Sequence, residues 1–292
     1  VVAYQTAFLK YYYPVEFMAA LMTSVIDNSG KVAEYIMTCR NMGIPILPPD
    51  INHGEIGFSV DGNAIRYSLN AIKSVGRPVI EGVVKEREEF GEFKSLQDFM
   101  TRMADKDMNR KAIENFIKAG AFDSFGGTRK QYMSVYMQIL DRILHDRKNS
   151  MAGQMSLFDI VDEENKKDYD IHMPDVGEYS KDMLLAFEKE VLGIYVSGHP
   201  LQEQEELWKK GITNTTADFA LDEESGYARV RDNESVTIGG LIADKKIKYT
   251  KNDKVMAFLQ LEDLVGSVEV IVFPKDYERN SAKLQEDNKV FI

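Results

Sequence analysis

The apolar residues of this 292-residue chain change their period near position 234, and this change constrains the fold more than any other feature. Before it, apolar side chains recur three and four residues apart, as over 4–41 and 68–147, which is typical of amphipathic helices. After it they alternate, which predicts strands. The strands are expected at Val236–Ala243, Val255–Glu262, Val268–Phe273 and, after a short helix, from Lys289 onward. We therefore predict a multidomain α+β chain that is mostly α-helical in its N-terminal two-thirds and all-β at its end.

Two irregular segments separate the helical stretches. Ile44–Asp50 contains three prolines, which remove backbone donors and favour extended backbone, and it leads toward a predicted hairpin turn at Asp61–Asn63. Residues 159–177 are acidic and have no apolar period, which predicts a surface loop or linker. We expect five segments in all, namely 1–50, 51–150, 151–180, 181–233 and 234–292.

Composition narrows the class of protein. With 36 Lys and Arg against 47 Asp and Glu, the net charge of −11 argues against a uniformly basic surface for nucleic acid. Residues 159–190 hold eleven acidic residues and four lysines, so contacts with nucleic acid are expected outside them. The single cysteine, Cys39, cannot close an intramolecular disulfide, and no apolar run approaches the roughly 18–20 residues that cross a bilayer. We expect a cytoplasmic protein without membrane contact and, because neither end carries a cap or a polar tail, a piece of a longer chain.

The first candidate site is a tight turn between two short apolar helices in Leu69–Val84. The turn ends at a glycine, and a proline suits the first turn of the second helix. This spacing resembles a helix-hairpin-helix motif, in which backbone amides and a helix N-terminus face a DNA phosphate and read no base. Val75 is expected to anchor the hairpin, the amides of Val75 and Gly76 to face the phosphate, and Lys73 and Arg77 to add positive charge.

Ser74 departs from the motif, which usually has its first glycine at this position. A left-handed backbone at a residue with a Cβ costs about 1–2 kcal/mol. An ordinary corner between two helices has the same spacing, so both interpretations stay open at this point. The candidate DNA-binding residues of the hairpin are Lys73, Ser74, Val75, Gly76 and Arg77.

A second candidate is the helix that follows Asn109 and ends at a glycine cap at Gly120. Arg110 and Lys111 lie on its basic face and are candidate DNA-binding residues. The alternative is a core helix with a solvated charged face.

A short apolar segment lies between Gly153 and the acidic run. Its order resembles the peptide with which bacterial proteins bind the sliding clamp, in which adjacent Leu and Phe side chains enter one pocket and a Gln hydrogen-bonds at the rim. Burial of two such side chains contributes about 3–6 kcal/mol before ordering costs, which favours weak binding made useful by tethering. The alternative is an anchor that pins the linker to its own domain. The candidate clamp-binding residues are Gln154, Met155, Ser156, Leu157 and Phe158.

Lysines cluster in the expected connection between the first two predicted strands, with Tyr249 among them. In an OB-type barrel this connection borders the face on which single strands lie, so lysines there can follow the backbone while an aromatic ring stacks on a base. The alternative is a solvated lysine-rich hairpin. The candidate nucleic-acid-binding residues are Lys245, Lys246, Lys248 and Lys251.

The sequence offers little for catalysis. The four histidines are scattered, and none of the common hydrolase, metalloprotease or phosphate-loop motifs is present. Asp162–Glu164 is better explained as a solvated acidic linker than as a cation site. No catalytic residue, metal ligand or cofactor is predicted within this chain.

Several stretches in family order together resemble the bacterial C-family replicative DNA polymerases, the DNA polymerase III alpha subunits. The resemblance extends over nearly the whole chain, which makes it more specific than any single motif. It rests on residues 3–10, 13–21, 46–52, 65–76, 93–96, 119–123, 188–201 and 261–270.

The resemblance implies that the parent protein is a DNA-directed DNA polymerase that uses deoxynucleoside triphosphates and Mg²⁺. Its phosphoesterase-like domain, its palm and the metal-binding aspartates would lie upstream, so this chain alone is predicted to be inactive. The implied partners are duplex primer-template DNA, single-stranded template, the sliding clamp and other replisome subunits. The five segments become the end of the fingers, a tandem helix-hairpin-helix region, an acidic linker with the clamp peptide, a helical connector and a partial OB-type barrel.

Two rival functions remain open from the sequence. A non-catalytic adaptor that binds DNA and the clamp would use the same residues without an upstream palm. An RNA-binding protein with an OB domain, such as a synthetase accessory domain, would prefer RNA and would not bind a clamp.

Overall fold

The computed structural model describes residues 1–106, 108–151, 172–221 and 226–292. The chain divides into two compact units, Val1–Ser197 and Gly198–Ile292. The boundary lies inside the segment 181–233 of the predicted organisation. We describe each unit by itself.

The first unit is mainly helical, with a small sheet of three short strands. Its described helices are α1 Val2–Tyr12, α2 Pro14–Ser24, α3 Ser29–Asn41, α4 Arg77–Phe90, α5 Leu96–Arg102, α6 Arg110–Ala119, α7 Arg129–Met151 and α8 Lys181–Leu192. The strands are β1 Ile46–Leu47, β2 Ser59–Asp61 and β3 Ala64–Arg66. The strand order is β1-β3-β2, with β3 parallel to β1 and antiparallel to β2. The hairpin expected at Asp61–Asn63 is confirmed by this antiparallel pair.

Polar caps and prolines begin several of these helices. Pro14 occupies the first turn of α2, where its missing N–H is not needed. The side chains of Asn28, Ser95 and Asn109 each accept a backbone N–H at the start of α3, α5 and α6. The helix α6 ends at Gly120, whose φ of 80° is a left-handed conformation that glycine adopts without strain. The local sequence thus fixes where these helices begin and end.

The core of the first unit contains a group of aromatic rings. Phe99 lies at the centre, with ring centroids 5.0 Å from Phe93 and from Phe122 and 5.9 Å from Phe116. These rings are almost completely buried, and each pair is inclined edge to face. This packing holds α5, α6 and the segment after α6 together.

A buried ion pair joins α7 to α8. Glu188 is inaccessible to solvent, and its Oε1 lies 3.3 Å from Nη1 of Arg129. Its Oε2 accepts the backbone N–H groups of Val196 and Ser197, each at 2.9 Å. Arg129 also donates to Asp123 and to the carbonyl oxygen at the end of α6. The carboxylate therefore fixes the chain at the end of the first unit.

The second unit is a curled antiparallel sheet with flanking helices. Its described elements are helix α9 Glu205–Gly211, strands β4 Gly239–Tyr249, β5 Val255–Glu262 and β6 Ser267–Val272, helix α10 Pro274–Asn280 and strand β7 Lys289–Phe291. The strand order is β6-β5-β4-β7, and all neighbours are antiparallel. This arrangement, after a helical N-terminal region, confirms the predicted fold class and is consistent with a partial OB-type barrel.

One face of this sheet forms the core of the second unit. Ala257, Leu259 and Leu261 alternate along β5 and are fully buried, as the period-two pattern predicts. The turn from β5 to β6 is held by Asp263, whose carboxylate accepts N–H groups from Thr216, Val265 and Gly266 at 2.8–2.9 Å. The sheet thus has one buried face, while its other face is left for solvent or a partner.

The first strand of this sheet differs from the prediction. It was expected at Val236–Ala243 but lies at Gly239–Tyr249. Its pairing with β5 shifts between Ile242 and Asp244, which marks a β-bulge. The extra residue breaks the alternation, so the apolar pattern stops although the strand continues.

Candidate nucleic-acid interface

The predicted hairpin lies just before α4, and its backbone conformation agrees with the helix-hairpin-helix motif. A 3₁₀ turn at Leu69–Ala71 leads into it, and α4 begins directly after Gly76. Ser74 has a φ of 61°, so the residue that stands in place of the motif's glycine adopts the left-handed conformation. Val75 is 7% exposed and belongs to the hydrophobic core, which confirms that it anchors the hairpin.

Of the two backbone donors expected in the hairpin, Gly76 is free and Val75 is not, and two further N–H groups are free. The Val75 N–H donates to the carbonyl oxygen of Ile72 at 3.3 Å, so this amide is already used inside the turn. Within the described part of the chain, the backbone N–H groups of Ser74, Gly76 and Arg77 have no protein acceptor. These residues are exposed, and Arg77 is the first residue of a 14-residue helix. Three amides at a helix N-terminus form an arrangement suited to an anion.

The two cations of the hairpin are exposed and differ in their surroundings. Arg77 donates from Nε to Glu81 at 2.9 Å, but the side chains are 67% and 50% exposed, so the pair is weak and open to exchange. The Lys73 ammonium group lies near the end of α8. Its Nζ is 4.0 Å from the position that a Cβ would occupy on Gly193, the residue after that helix. The negative end of the α8 dipole favours an ammonium group there.

The hairpin is attached to α8, a helix distant from it in sequence. The Lys73 N–H donates to the Val191 carbonyl oxygen at 2.9 Å. The Tyr67 hydroxyl donates to the Leu192 carbonyl oxygen at 3.0 Å, and burial raises the pKa of this tyrosine. Carbonyls in the last turn of a helix have no partner within the helix, so residues near the hairpin cap α8.

The second predicted basic surface is at the start of α6. There the charge of Lys111 is compensated by acidic neighbours, and Arg110 is bonded to a tyrosine hydroxyl. Lys111 Nζ lies 3.4 Å from a carboxylate oxygen of Glu114 and 4.0 Å from one of Glu190. Arg110 is exposed, and its Nε donates to the Tyr136 hydroxyl at 3.4 Å, which raises the pKa of the guanidinium. This surface therefore carries less free positive charge than the sequence pattern indicates.

The lysines of the second unit lie mostly on strand β4 rather than in a connection. Lys245, Lys246 and Lys248 are within the strand, and Lys251 is exposed in the short turn that follows it. The expected location in the β4–β5 connection is therefore wrong for the first three. Beyond the bulge near Ile242, β4 stays paired with β5 through these three lysines.

The pairing of β4 with β5 separates these lysines onto two faces. Lys246 is opposite Phe258 and Lys248 is opposite Met256, so these four side chains share the face that points away from the core. The Lys248 ammonium lies 4.4 Å from the centre of the Phe258 ring. Lys245 is on the other face, 5.3 Å from the ring centre of Tyr277.

The outward face carries apolar and aromatic groups beside its lysines. Ile271, opposite Phe258 on β6, is 46% exposed, and Phe273 just beyond β6 is 62% exposed. Tyr249, at the end of β4, is 71% exposed, but it is opposite Val255 and so lies on the other face, with Lys245. A sheet face with exposed rings and lysines has the components that sequence-independent binding of single strands uses.

The candidate clamp peptide, residues 154–158, lies outside the described residues. Among the residues that the structure describes, no group of three or more His, Cys, Asp or Glu side chains is arranged to hold a metal ion. A search of the same residues finds no helix that is long and apolar enough to span a membrane.

Two features of these sites are not evident from the sequence pattern. Asn115 is 2% exposed and donates from Nδ2 to the Lys73 carbonyl oxygen at 2.5 Å. It is a polar residue among the buried apolar positions of α6, and that irregularity was the signal that could have found it. The outward position of Phe258 was also missed, because the bulge in β4 hides which residues of the two strands face each other.

These structural features define the class of the protein by its fold, a helix-hairpin-helix region followed by a sheet of the OB type. Residues 43–132 match the family described as helix-hairpin-helix motif, and residues 236–292 match the family described as OB-fold nucleic acid binding domain. Along its whole length the chain is homologous to the DNA polymerase III alpha subunit, and it spans about a quarter of that subunit.

Similar relatives come from distant bacteria. The DNA polymerase III subunit alpha of Mycobacterium tuberculosis (strain H37Rv) is 37% identical over 294 residues, which cover 100% of this chain and 24% of the relative. The subunit of Thermus aquaticus is 37% identical over 291 residues, covering 99% of this chain and 23% of the relative. That of Vibrio cholerae is 35% identical over 295 residues, covering 100% and 24%.

Proposed function

We propose that this chain serves DNA replication as the part of a DNA polymerase III alpha subunit that holds duplex DNA by its phosphates. The observation that carries the proposal is the set of three exposed amides at Ser74, Gly76 and Arg77, beside the cations of Lys73 and Arg77. Backbone amides and point charges bind phosphate oxygens irrespective of the base, so the contact suits an enzyme that moves along any sequence.

The proposal also explains how a chain with a net charge of −11 binds a polyanion. At physiological ionic strength, charges separated by more than roughly 8 Å are largely screened. Binding therefore depends on the local charge of the hairpin and not on the net charge of the chain. Lys111, which is paired with Glu114, and Arg110, which is bonded to the Tyr136 hydroxyl, are assigned a weaker contact with the same duplex.

Reversal of both hairpin charges, Lys73→Glu with Arg77→Glu, tests the duplex contact. We expect duplex affinity to fall about 10- to 100-fold in dilute buffer, and by the same factor for unrelated sequences, because phosphates and not bases are contacted. Fluorescence anisotropy with two duplexes of different sequence measures the effect.

The matched control is Lys85→Glu, an exposed lysine further along the same helix α4. It should leave affinity within about twofold, because exposed charges away from the contact are screened. A sequence-selective loss in the double variant, or an equal loss in the control, would contradict the proposed contact.

The second part of the proposal is a contact of residues 154–158 with a sliding clamp. It rests on the sequence order alone, in which Leu157 and Phe158 would enter one hydrophobic pocket. Tethering through such a peptide converts dissociation from DNA into local rebinding. Leu157→Ala with Phe158→Ala should abolish retention of the chain on immobilised clamp, and undiminished retention would remove this part of the proposal.

The third part concerns single-stranded template. The outward face of the β4–β5–β6 sheet, with Lys246, Lys248 and Phe258, is assigned to guiding the template strand. Lys251 adds a cation at the turn after β4, whereas Lys245 and Tyr249 lie on the other face of the strand, where Lys245 supports the sheet through Tyr277. Other replisome subunits remain partners of the whole polymerase, with no contact residue assigned.

The chemical step is assigned to the parent polymerase and its Mg²⁺, outside this chain. The described residues offer no group of carboxylates placed to hold that metal ion. We expect the isolated chain to extend no primer. Measurable primer extension by the isolated chain would contradict this assignment.

A further inference from the structure

We propose that Asn115 is a positioning residue that keeps the phosphate-binding hairpin in its active backbone conformation. The inference rests on the proposed duplex contact and adds the reason that a serine can stand at its left-handed position. Asn115 is on α6 and lies 42 residues from Lys73 in sequence, yet its Nδ2 donates to the Lys73 carbonyl oxygen at 2.5 Å.

The orientation of the peptide group between Lys73 and Ser74 links Asn115 to the exposed donors of the hairpin. The Lys73 carbonyl and the Ser74 N–H belong to the same planar trans peptide, so they point in opposite directions. Because Asn115 draws the carbonyl toward α6, the Ser74 N–H is directed away from it, and this N–H is one of the three exposed donors. A flip of this peptide would turn the amide inward and present a carbonyl oxygen, which repels phosphate.

Ser74 makes such a flip favourable unless something prevents it. The observed φ of 61° is disfavoured for a residue with a Cβ, whereas the flipped peptide would let Ser74 adopt an ordinary negative φ. The Lys73 N–H is held at the same time by the Val191 carbonyl oxygen of α8 at 2.9 Å. Helix α8 therefore holds the peptide before Lys73, and Asn115 on α6 holds the peptide after it. This second peptide is the one whose flip would turn the Ser74 N–H inward.

A second observation separates this role from simple packing. The Asn115 side chain is 2% exposed, and within the described residues its Oδ1 has no hydrogen-bond partner. A buried oxygen without a partner is unfavourable, so an apolar residue of similar size would suit the core at least as well. The amide is explained by its bond to the hairpin and not by the stability of α6.

The test compares Asn115→Leu, Ser74→Gly and the double variant in the full chain. Loss of one buried hydrogen bond should reduce the binding-competent hairpin population, so Asn115→Leu should weaken duplex affinity about 5- to 10-fold. Its thermal stability should equal or exceed that of the wild type. Because glycine adopts a positive φ without strain, adding Ser74→Gly should restore affinity to within about twofold.

The hairpin conformation is read independently of DNA. The NMR coupling constant between HN and Hα reports φ at Ser74, and hydrogen exchange reports the exposure of the Ser74 amide, which turns inward if its peptide flips. Both should change in Asn115→Leu. Both should keep wild-type values in Asn52→Leu, a control that removes an asparagine bonded to the backbone of Phe93.

Unchanged coupling and exchange in Asn115→Leu would overturn the inference, as would lost affinity that Ser74→Gly does not restore. If the wild-type chain binds no duplex, the proposed function fails, while the NMR comparison still decides whether Asn115 sets the hairpin.

Discussion

At the scale of single residues, the structure shows that side chains far apart in sequence determine the conformation of the candidate site. The sequence predicts Val75 as the buried anchor of the hairpin, because the resemblance to a helix-hairpin-helix motif assigns this role to the apolar residue of the turn. It does not predict the bonds from Asn115 or from the end of α8, because these depend on the packing of elements 42 and about 118 residues away. Local pattern thus identifies a candidate residue, and tertiary structure decides which of its atoms remain free.

The buried carboxylate of Glu188 gives the sharpest stability prediction at this scale. Glu188→Ala would leave Arg129, itself 5% exposed, without its buried partner and would free two backbone N–H groups. We expect the free energy of unfolding of the first unit to fall by about 3–5 kcal/mol, as measured by urea denaturation. The exposed pair of Lys31 and Glu34 supplies the control, because Glu34→Ala should change it by less than about 1 kcal/mol. Equal effects of the two substitutions would show that the buried network adds no stability.

At the scale of secondary-structure elements, the change of period predicts the helical and strand-rich parts correctly, but it misplaces the first strand of the sheet. The apolar alternation ends at the bulge near Ile242, while backbone pairing with β5 continues to Tyr249. Beyond the bulge the strand extends past the core, so its side chains are no longer selected for burial and carry lysines instead. A period-based prediction follows burial, and it therefore fails where a strand leaves the core.

This strand makes a prediction for single-stranded DNA. Lys246→Glu with Lys248→Glu removes two cations from the outward face and should weaken affinity for a single-stranded oligonucleotide about 10-fold or more in dilute buffer. Thermal stability should stay close to that of the wild type, because both side chains are exposed. Among the described residues, the double substitution removes one ion pair, that of Lys246 with Asp244.

The control for this experiment is Lys275→Glu, an exposed lysine on α10 outside that face. Its affinity should remain near that of the wild type. If all three lysines contribute equally, the binding is an effect of net charge, and the outward face has no special role.

At the scale of the whole molecule, two units with separate cores carry the two proposed contacts with DNA. The helix-hairpin-helix family match ends at residue 132, yet the hairpin is completed by α8, which lies after the acidic linker. The part of the chain that carries the proposed duplex contact is therefore larger than the helix-hairpin-helix motif. The resemblance implies a helix-hairpin-helix region before an OB fold, and the two family matches have this order, since the whole chain aligns with about a quarter of its relatives.

The central claim is that the chain holds DNA through phosphates, and a salt titration of the intact chain with a duplex tests it most directly. Each phosphate contact should contribute about −0.9 to the slope of log K against log salt, so the two hairpin cations predict a linear decrease with a slope of about −2 or steeper. A slope near zero, or no measurable duplex binding in dilute buffer, would contradict the account.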